Sequence, residues 1–280
     1  MNNIIKDIQY LREKTGFGIM DCKKVLIDAN GNLDKAYAAL EAKGLQIQEK
    51  KTERISGEGI VYADVYNNIG VILEVSAETD FVARSPEFLS NVIEAGKLLA
   101  EGNPIDELIK NMVMKFRENI QLKSYDILNE GYVYAYNHGN GKYAVILNLD
   151  ADNVSEEVKK DLAMQIIAMN PKYISSKKIP EDVLESMKNT IIENIANEPG
   201  LSNKPQNVLD KILVGRMEKL VKELCLIDQP YIKDDKISVG EMLNEKSSSL
   251  IKPIRIEKFY RYEKAENPNK CACANNMFIG

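Results

Sequence analysis

Apolar residues recur at helical spacing from the start of the chain. Ile4, Ile5, Ile8 and Leu11 predict a first helix, which Thr15-Gly16-Phe17-Gly18 interrupts with a turn. Asp21 can help open a second helix, whose apolar face carries Cys22, Val25, Leu26 and Ala29. Asn30-Gly31-Asn32 is a stop, because Asn and Gly tolerate the left-handed conformation. Leu33, Ala36, Tyr37 and Leu40 mark a third helix, ended at Gly44. The spacing therefore predicts a three-helix bundle of about 45 residues, a size that is marginal alone and suits docking onto something else. Glu49, Lys50, Lys51, Glu53 and Arg54 crowd the segment from Gln46 to Gly57, which reads as a solvated connector, a helix end or a contact site.

From Gly59 the period changes. Ile60, Tyr62 and Val65 belong to one strand and Val71–Val75 to another, with a hairpin turn over Asn67-Asn68-Ile69-Gly70. Helical patterns follow over Pro86–Glu101 and Ile105–Asn119, then strands over Gly131–Tyr136 and Tyr143–Leu149. A second half repeats this loose plan. Glu156–Ala168 is an amphipathic helix stopped by Asn170-Pro171. Val183–Ala196 and Val208–Cys225 are longer helices around Asn197-Glu198-Pro199-Gly200, which predicts a projecting helical hairpin over about 183–225. Gln229–Ile232 and Ile254–Tyr262 read as strands, and Ile237–Leu243 as a short helix. The expected fold class is α+β: a helical bundle and connector over 1–54, one α+β half over 55–142, a second over 143–263, and a frayed polar tail over 264–280.

Composition narrows the chemistry. With 280 residues the chain can bury a sizeable core without staples. Acidic residues number 42 and basic residues 37, a net charge of −5 that argues against broad nucleic-acid binding. No apolar stretch approaches the roughly 18 residues of a membrane span. Met1-Asn2-Asn3-Ile4-Ile5-Lys6-Asp7 has neither a signal-peptide core nor a transit pattern, so the expected location is the cytoplasm. Reduced, buried thiols at Cys22 and Cys225 fit that compartment.

The usual catalytic and cofactor motifs are missing. There is no phosphate-binding G-x-x-x-x-G-K-[ST], no G-x-G-x-x-G after a strand and no H-E-x-x-H. His138 is the one histidine, which leaves little room for zinc or His-based catalysis. It sits in Asn137-His138-Gly139-Asn140-Gly141-Lys142, a turn in which it reads as a turn residue or a binding contact. Cys271-Ala272-Cys273 reads as an exposed thiol pair rather than a metal site. No cofactor is expected, and reactive side chains are too scattered for an enzyme site, which favours action by contact.

The most informative segment is Glu78-Thr79-Asp80-Phe81-Val82-Ala83-Arg84-Ser85-Pro86. Thr79 or Asp80 can cap a helical turn. Residue types alone favour a plain strand-to-helix junction with Phe81 folded into the core.

Thr79-Asp80-Phe81-Val82-Ala83-Arg84 resembles the signature of the elongation factor Ts family. So does Leu11-Arg12-Glu13-Lys14-Thr15-Gly16-Phe17-Gly18-Ile19-Met20-Asp21-Cys22-Lys23-Lys24. Ala29–Asn32, Glu58-Gly59, His138-Gly139, Gly215-Arg216-Met217 and Gln229-Pro230 follow in family order. The resemblance implies a ubiquitin-associated-like bundle, a core of two α+β halves and a helical hairpin. It implies a guanine nucleotide exchange factor, acting by binding and not as an enzyme, that promotes GDP release from elongation factor Tu. Both the GDP-bound and the nucleotide-free partner are implied, with no direct nucleic-acid or membrane contact.

The resemblance also assigns roles. Thr79, Asp80, Phe81 and Val82 form a magnesium-dislocation motif, with Phe81 as the wedge and Asp80 holding it in register. Arg12, Met20 and Lys23 are contacts of the bundle, although local core packing is an equal reading for Met20. His138 meets another domain of the partner. The hairpin is open to homodimerisation, to partner contact or to simple core extension. Adaptor binding without exchange, and a small enzyme using His138 or Cys22, remain the competing classes. Arg84 stands where the family often has Lys, Ser56-Gly57 replaces an Ala-rich connector, and Asn267–Gly280 resembles nothing in the family.

Overall fold

Three helices open the chain: α1 (Asn2–Thr15), α2 (Ile19–Asp28) and α3 (Leu33–Lys51). The structure is a computed structural model that describes residues 2–51, 56–201, 204–248, 250, 252–265 and 269–270. Leu11, Phe17, Cys22, Leu26, Ala36 and Leu40 are the predicted apolar positions or their neighbours, and they form one buried cluster. The turn between α2 and α3 uses Asn30 and Gly31 at φ 52° and 76°, as their residue types invite.

Gly44 does not end α3, which runs on to Lys51. A Cβ on Gly44 would lie 2.3 Å from Met114 Sδ, so the glycine marks a close approach and not a stop.

Beyond the bundle come β1 (Glu58–Tyr66), β2 (Ile69–Ala77), the one-turn helix α4 (Asp80–Ala83), α5 (Pro86–Ala100), α6 (Asp106–Phe116) and β3 (Gln121–Leu128). The strands β1 and β2 pair antiparallel around the two-residue turn Asn67-Asn68, whose φ angles of 50° and 64° suit a right-twisted hairpin. The sheet order is β1-β2-β3, so β2 is central and buried over nearly its whole length. Val71, Leu73 and Val75 of β2 pack with Phe88, Val92 and Ala95 of α5 and Met112 and Val113 of α6. Met114, on the same α6, belongs instead to the bundle's cluster.

Sequence patterning missed β3 and extended α6 to Asn119. The helix ends at Phe116 because Arg117 turns to φ 59°. Apart from Leu128 at the end of β3, these elements lie in one compact unit, Met1–Ile127, which also takes in Asn137–Ala144 and Tyr262–Asn267.

The second unit comprises Leu128–Tyr136, Val145–Arg261 and Pro268–Gly280. It holds all or the larger part of β4 (Tyr132–His138), β5 (Tyr143–Leu149), α7 (Glu156–Met169), α8 (Glu181–Asn197), α9 (Gln206–Leu224), β6 (Pro230–Tyr231), β7 (Asp234–Ser238), α10 (Val239–Ser247), β8 (Ile256–Glu263) and β9 (Asn269–Lys270). Asn137 and His138 of β4, Tyr143 and Ala144 of β5, and Tyr262 and Glu263 of β8 count with the first unit. The larger sheet has the order β4-β5-β8-β9, and β6 pairs antiparallel with β7. Val145, Leu147 and Leu149 of β5 pack with Leu162 and Ile166 of α7 and with Phe259 of β8. Gln229 and Gln165 are fully buried, and Gln165 Nε2 donates to Gln229 Oε1 at 3.2 Å. Gln229 thus brackets the interior rather than opening a strand.

The predicted hairpin is the pair α8 and α9, tied by Arg216 Nη2 to Glu198 Oε2 at 2.6 Å. Ile191 and Ile195 of α8 are buried, whereas no residue of α9 is. Among the described residues no helix is long and apolar enough to cross a membrane. Most of the predicted tail, with Cys271 and Cys273, lies outside the described residues.

Candidate functional site

The segment after β2 is shaped by two caps in quick succession. Thr79 takes an extended backbone, and its Oγ1 accepts from Val82 N at 3.4 Å, which starts α4. Ser85 Oγ accepts from Phe88 N at 3.1 Å and starts α5, with Pro86 in the first turn where its missing N–H costs nothing. Ser85 Oγ also donates to Val82 O at 2.8 Å, which closes the short helix.

On a single helical turn, neighbouring side chains diverge by about 100°. Ala83 is buried and Val82 is half-buried against the core of the first unit. Phe81 consequently points away, with 86% of its surface exposed. The expectation from residue types, Phe81 in the core, is overturned: the inward positions of α4 are already taken by Val82 and Ala83.

The N-terminal side of α4 is clasped by a distant carboxylate. Glu118 Oε2 accepts from Glu78 N at 2.9 Å and from Thr79 N at 3.0 Å, and Glu118 Oε1 accepts from Thr79 Oγ1 at 2.5 Å. Glu78 returns the bond, its Oε1 accepting from Asn119 N at 2.6 Å. By contrast, Asp80 and Arg84 face each other at 3.6 Å on the exposed surface, where such a pair contributes little.

On the bundle, Arg12 and Lys23 are exposed, and Met20 is 76% exposed. Core packing is thereby excluded for Met20. The residue after it, Asp21, turns toward the protein. Its Oδ1 accepts from Lys43 Nζ at 2.9 Å and its Oδ2 from Arg117 Nη2 at 2.9 Å. The bond from Lys43 leads in holding the Asp21 carboxyl below its ordinary range, with Arg117 adding to it.

His138 ends β4 and is exposed, its ring 6.4 Å from that of Tyr143. Its neighbour Asn137 binds β1 through the amide side chain: Ala63 N donates to Asn137 Oδ1 at 2.8 Å. Arg12, Met20, Lys23, Thr79, Asp80, Phe81, Val82 and His138 thus come from four separate stretches of sequence and all belong to the first unit. Glu118, Asp21, Arg117 and Asn137, which hold these stretches in place, carried no signal of that role in the sequence. Among the described residues no group of three or more His, Cys, Asp and Glu side chains is placed to hold a metal ion.

The family model described as Elongation factor TS matches residues 78–266, beginning at the clasped segment itself. The chain belongs to the elongation factor Ts family. It is 39% identical to Elongation factor Ts of Hydrogenobaculum sp. (strain Y04AAS1), across 69% of this chain and 77% of that one. Similarity to Elongation factor Ts of Clostridium perfringens (strain SM101 / Type A) is 36% identity and spans 95% of this chain and 94% of the relative, so it includes the bundle. The corresponding protein of Aquifex aeolicus (strain VF5) is 35% identical, across 69% and 77% of the two chains. Membership of this family makes the chain a translation elongation factor, a protein of protein biosynthesis.

Proposed function

We propose that this chain is a guanine nucleotide exchange factor that promotes release of GDP from elongation factor Tu, and that Phe81 is the wedge. One observation carries the reading: an aromatic side chain stands 86% exposed at the tip of a turn whose other apolar residues face the core. Burying a Phe is worth about 1.5–3 kcal/mol, a gain that the free protein leaves unrealised and a complex can collect.

The GTPase holds GDP through its phosphate loop and through Mg²⁺, which neutralises phosphate charge. A ring inserted beside that ion loosens the nucleotide without any chemical step, so the chain acts by binding and is not an enzyme. For exchange, it must bind the nucleotide-free partner more tightly than the GDP-bound one. By linkage, each ligand then weakens the other equally. A hundredfold weakening corresponds to about 2.7 kcal/mol, within reach of one buried aromatic. Asp80 holds the ring in register, Arg12, Met20 and Lys23 rest on the GTPase domain, and His138 meets a second domain. The setting is the cytoplasm, and neither nucleic acid nor membrane takes part directly.

Stopped-flow release of fluorescent GDP from the cognate elongation factor Tu tests this. Saturating chain is expected to raise the release rate by orders of magnitude. Equal rates with and without the chain would reject exchange.

A further inference from the structure

We infer that Glu118 is the positioning residue for Phe81, an inference that rests on the exchange reading above. The helix α4 has only four residues, far too short to hold its own conformation in water. Phe81 adds nothing to its own placement, since its ring is mostly in solvent. The direction of the ring is therefore set by the backbone of Glu78–Val82, and that backbone needs an outside restraint.

Glu118 supplies it. The residue is 9% exposed, and its carboxylate takes two backbone N–H groups and the Thr79 hydroxyl. Ionised acceptors of this kind make short, strong bonds, and a shielded setting strengthens them. The Thr79 hydroxyl that donates to Glu118 is the same atom that caps α4, so the clasp fixes the start of the turn on which Phe81 sits. The return bond from Asn119 N to Glu78 Oε1 makes the hold reciprocal, a double tie between the β2–α4 junction and the turn after α6.

The consequence for exchange is a population argument. Without the clasp, Phe81 remains on the chain but spends only part of its time in the direction a partner can accept. The apparent strength of a contact falls in proportion to its competent fraction. Removing a charged acceptor from three donors makes a loss of about tenfold a reasonable scale, equivalent to about 1.4 kcal/mol.

Because Glu118 acts through Phe81, its effect vanishes when the ring is gone, whereas damage to general stability persists. The test is a double-mutant cycle. GDP release from the cognate elongation factor Tu is measured with the unaltered chain, Glu118→Ala, Phe81→Ala and the double variant. Glu118→Gln is added, because its amide carbonyl still accepts from Glu78 N and Thr79 N. Glu118→Ala is expected to slow catalysed release by about tenfold in the presence of Phe81 and to change nothing in its absence. Glu118→Gln is expected to recover most of the loss.

The inference is overturned if Glu118→Ala leaves the rate unchanged, if it lowers the rate by the same factor with or without Phe81, or if Glu118→Gln falls as far as Glu118→Ala. Should Glu118→Ala fail to fold by circular dichroism, Glu118→Asp takes its place in the cycle with the same expectations, its shorter arm withdrawing the carboxylate from Thr79. Failure of the unaltered chain to accelerate release is a different result. It removes the exchange reading itself.

Discussion

Asn137 offers both ends of its side-chain amide to Ala63. Its Nδ2 donates to the Ala63 carbonyl at 2.7 Å, and its Oδ1 accepts from the Ala63 amide at 2.8 Å. Ala63 lies on β1, the outer strand of its sheet, where backbone groups lack a neighbouring strand. Together with the bond from Val61 N to Gly141 O at 2.9 Å, this one side chain stands in for the missing strand. Asn137→Ala is therefore expected to lower stability by about 1–3 kcal/mol, because it leaves a donor and an acceptor without their partner. Urea unfolding followed by circular dichroism measures this, and an unchanged midpoint would contradict it.

His138 follows directly but carries its role on the surface. His138→Ala keeps the Asn137–Ala63 pair, so its stability is expected to stay within about 0.5 kcal/mol of the unaltered chain. Its affinity for elongation factor Tu, measured by titration calorimetry, is expected to fall. Unchanged affinity would remove His138 from the contact set.

Asp21 ties α2 to Lys43 of α3 and to Arg117 after α6. Its carboxyl is held below the ordinary value of 3.8, first by the hydrogen bond from Lys43. A carboxyl whose pKa is lower in the folded state stabilises the fold above its unfolded pKa. That contribution is lost as pH falls through the folded pKa. Stability curves of the unaltered chain and of Asp21→Asn are thus expected to converge on acidification below 3.8 and to stay parallel above it. Curves parallel throughout would show that Asp21 contributes nothing through its charge.

Cys22 and Cys225 are both fully buried. Burial raises both thiols, Cys225 to about 12 with the Asp228 carboxylate adding to the effect. Since the thiolate is the reactive form, both peptides are expected to stay unlabelled by iodoacetamide at pH 8 in the folded chain and to react in urea. Mass spectrometry reads the difference, and labelling that is equally fast in both conditions would contradict it.

These outcomes bear on how much of the molecule was legible in its residues. The bundle was, because Leu11, Cys22, Leu26, Ala36 and Leu40 keep helical spacing and all become core. So was the first hairpin, because Asn67-Asn68 tolerates the positive φ its turn requires. The strand β3 was not, since Gln121–Leu128 is half-exposed and mostly polar and owes its conformation to pairing with β2. Nor was the end of α6, because Arg117 adopts φ 59° without being a residue type that favours it.

The site divides in the same way. Thr79 is legible as a cap, whereas the cap at Ser85 comes from the structure alone. The hydrophobicity of Phe81 points it inward, because nothing local says that Val82 and Ala83 fill the inward side of α4, and only the family resemblance points outward. Glu118 left no trace, because its partners include two backbone N–H groups, which every residue but proline possesses.

The central claim is that the exposed ring of Phe81 carries nucleotide release. Stopped-flow release of fluorescent GDP from the cognate elongation factor Tu, with saturating unaltered chain and with saturating Phe81→Ala, tests it most directly. The account predicts that Phe81→Ala folds with an unchanged melting temperature and loses about tenfold or more of the acceleration, in line with the energy of one buried aromatic. Release by Phe81→Ala as fast as by the unaltered chain would contradict it.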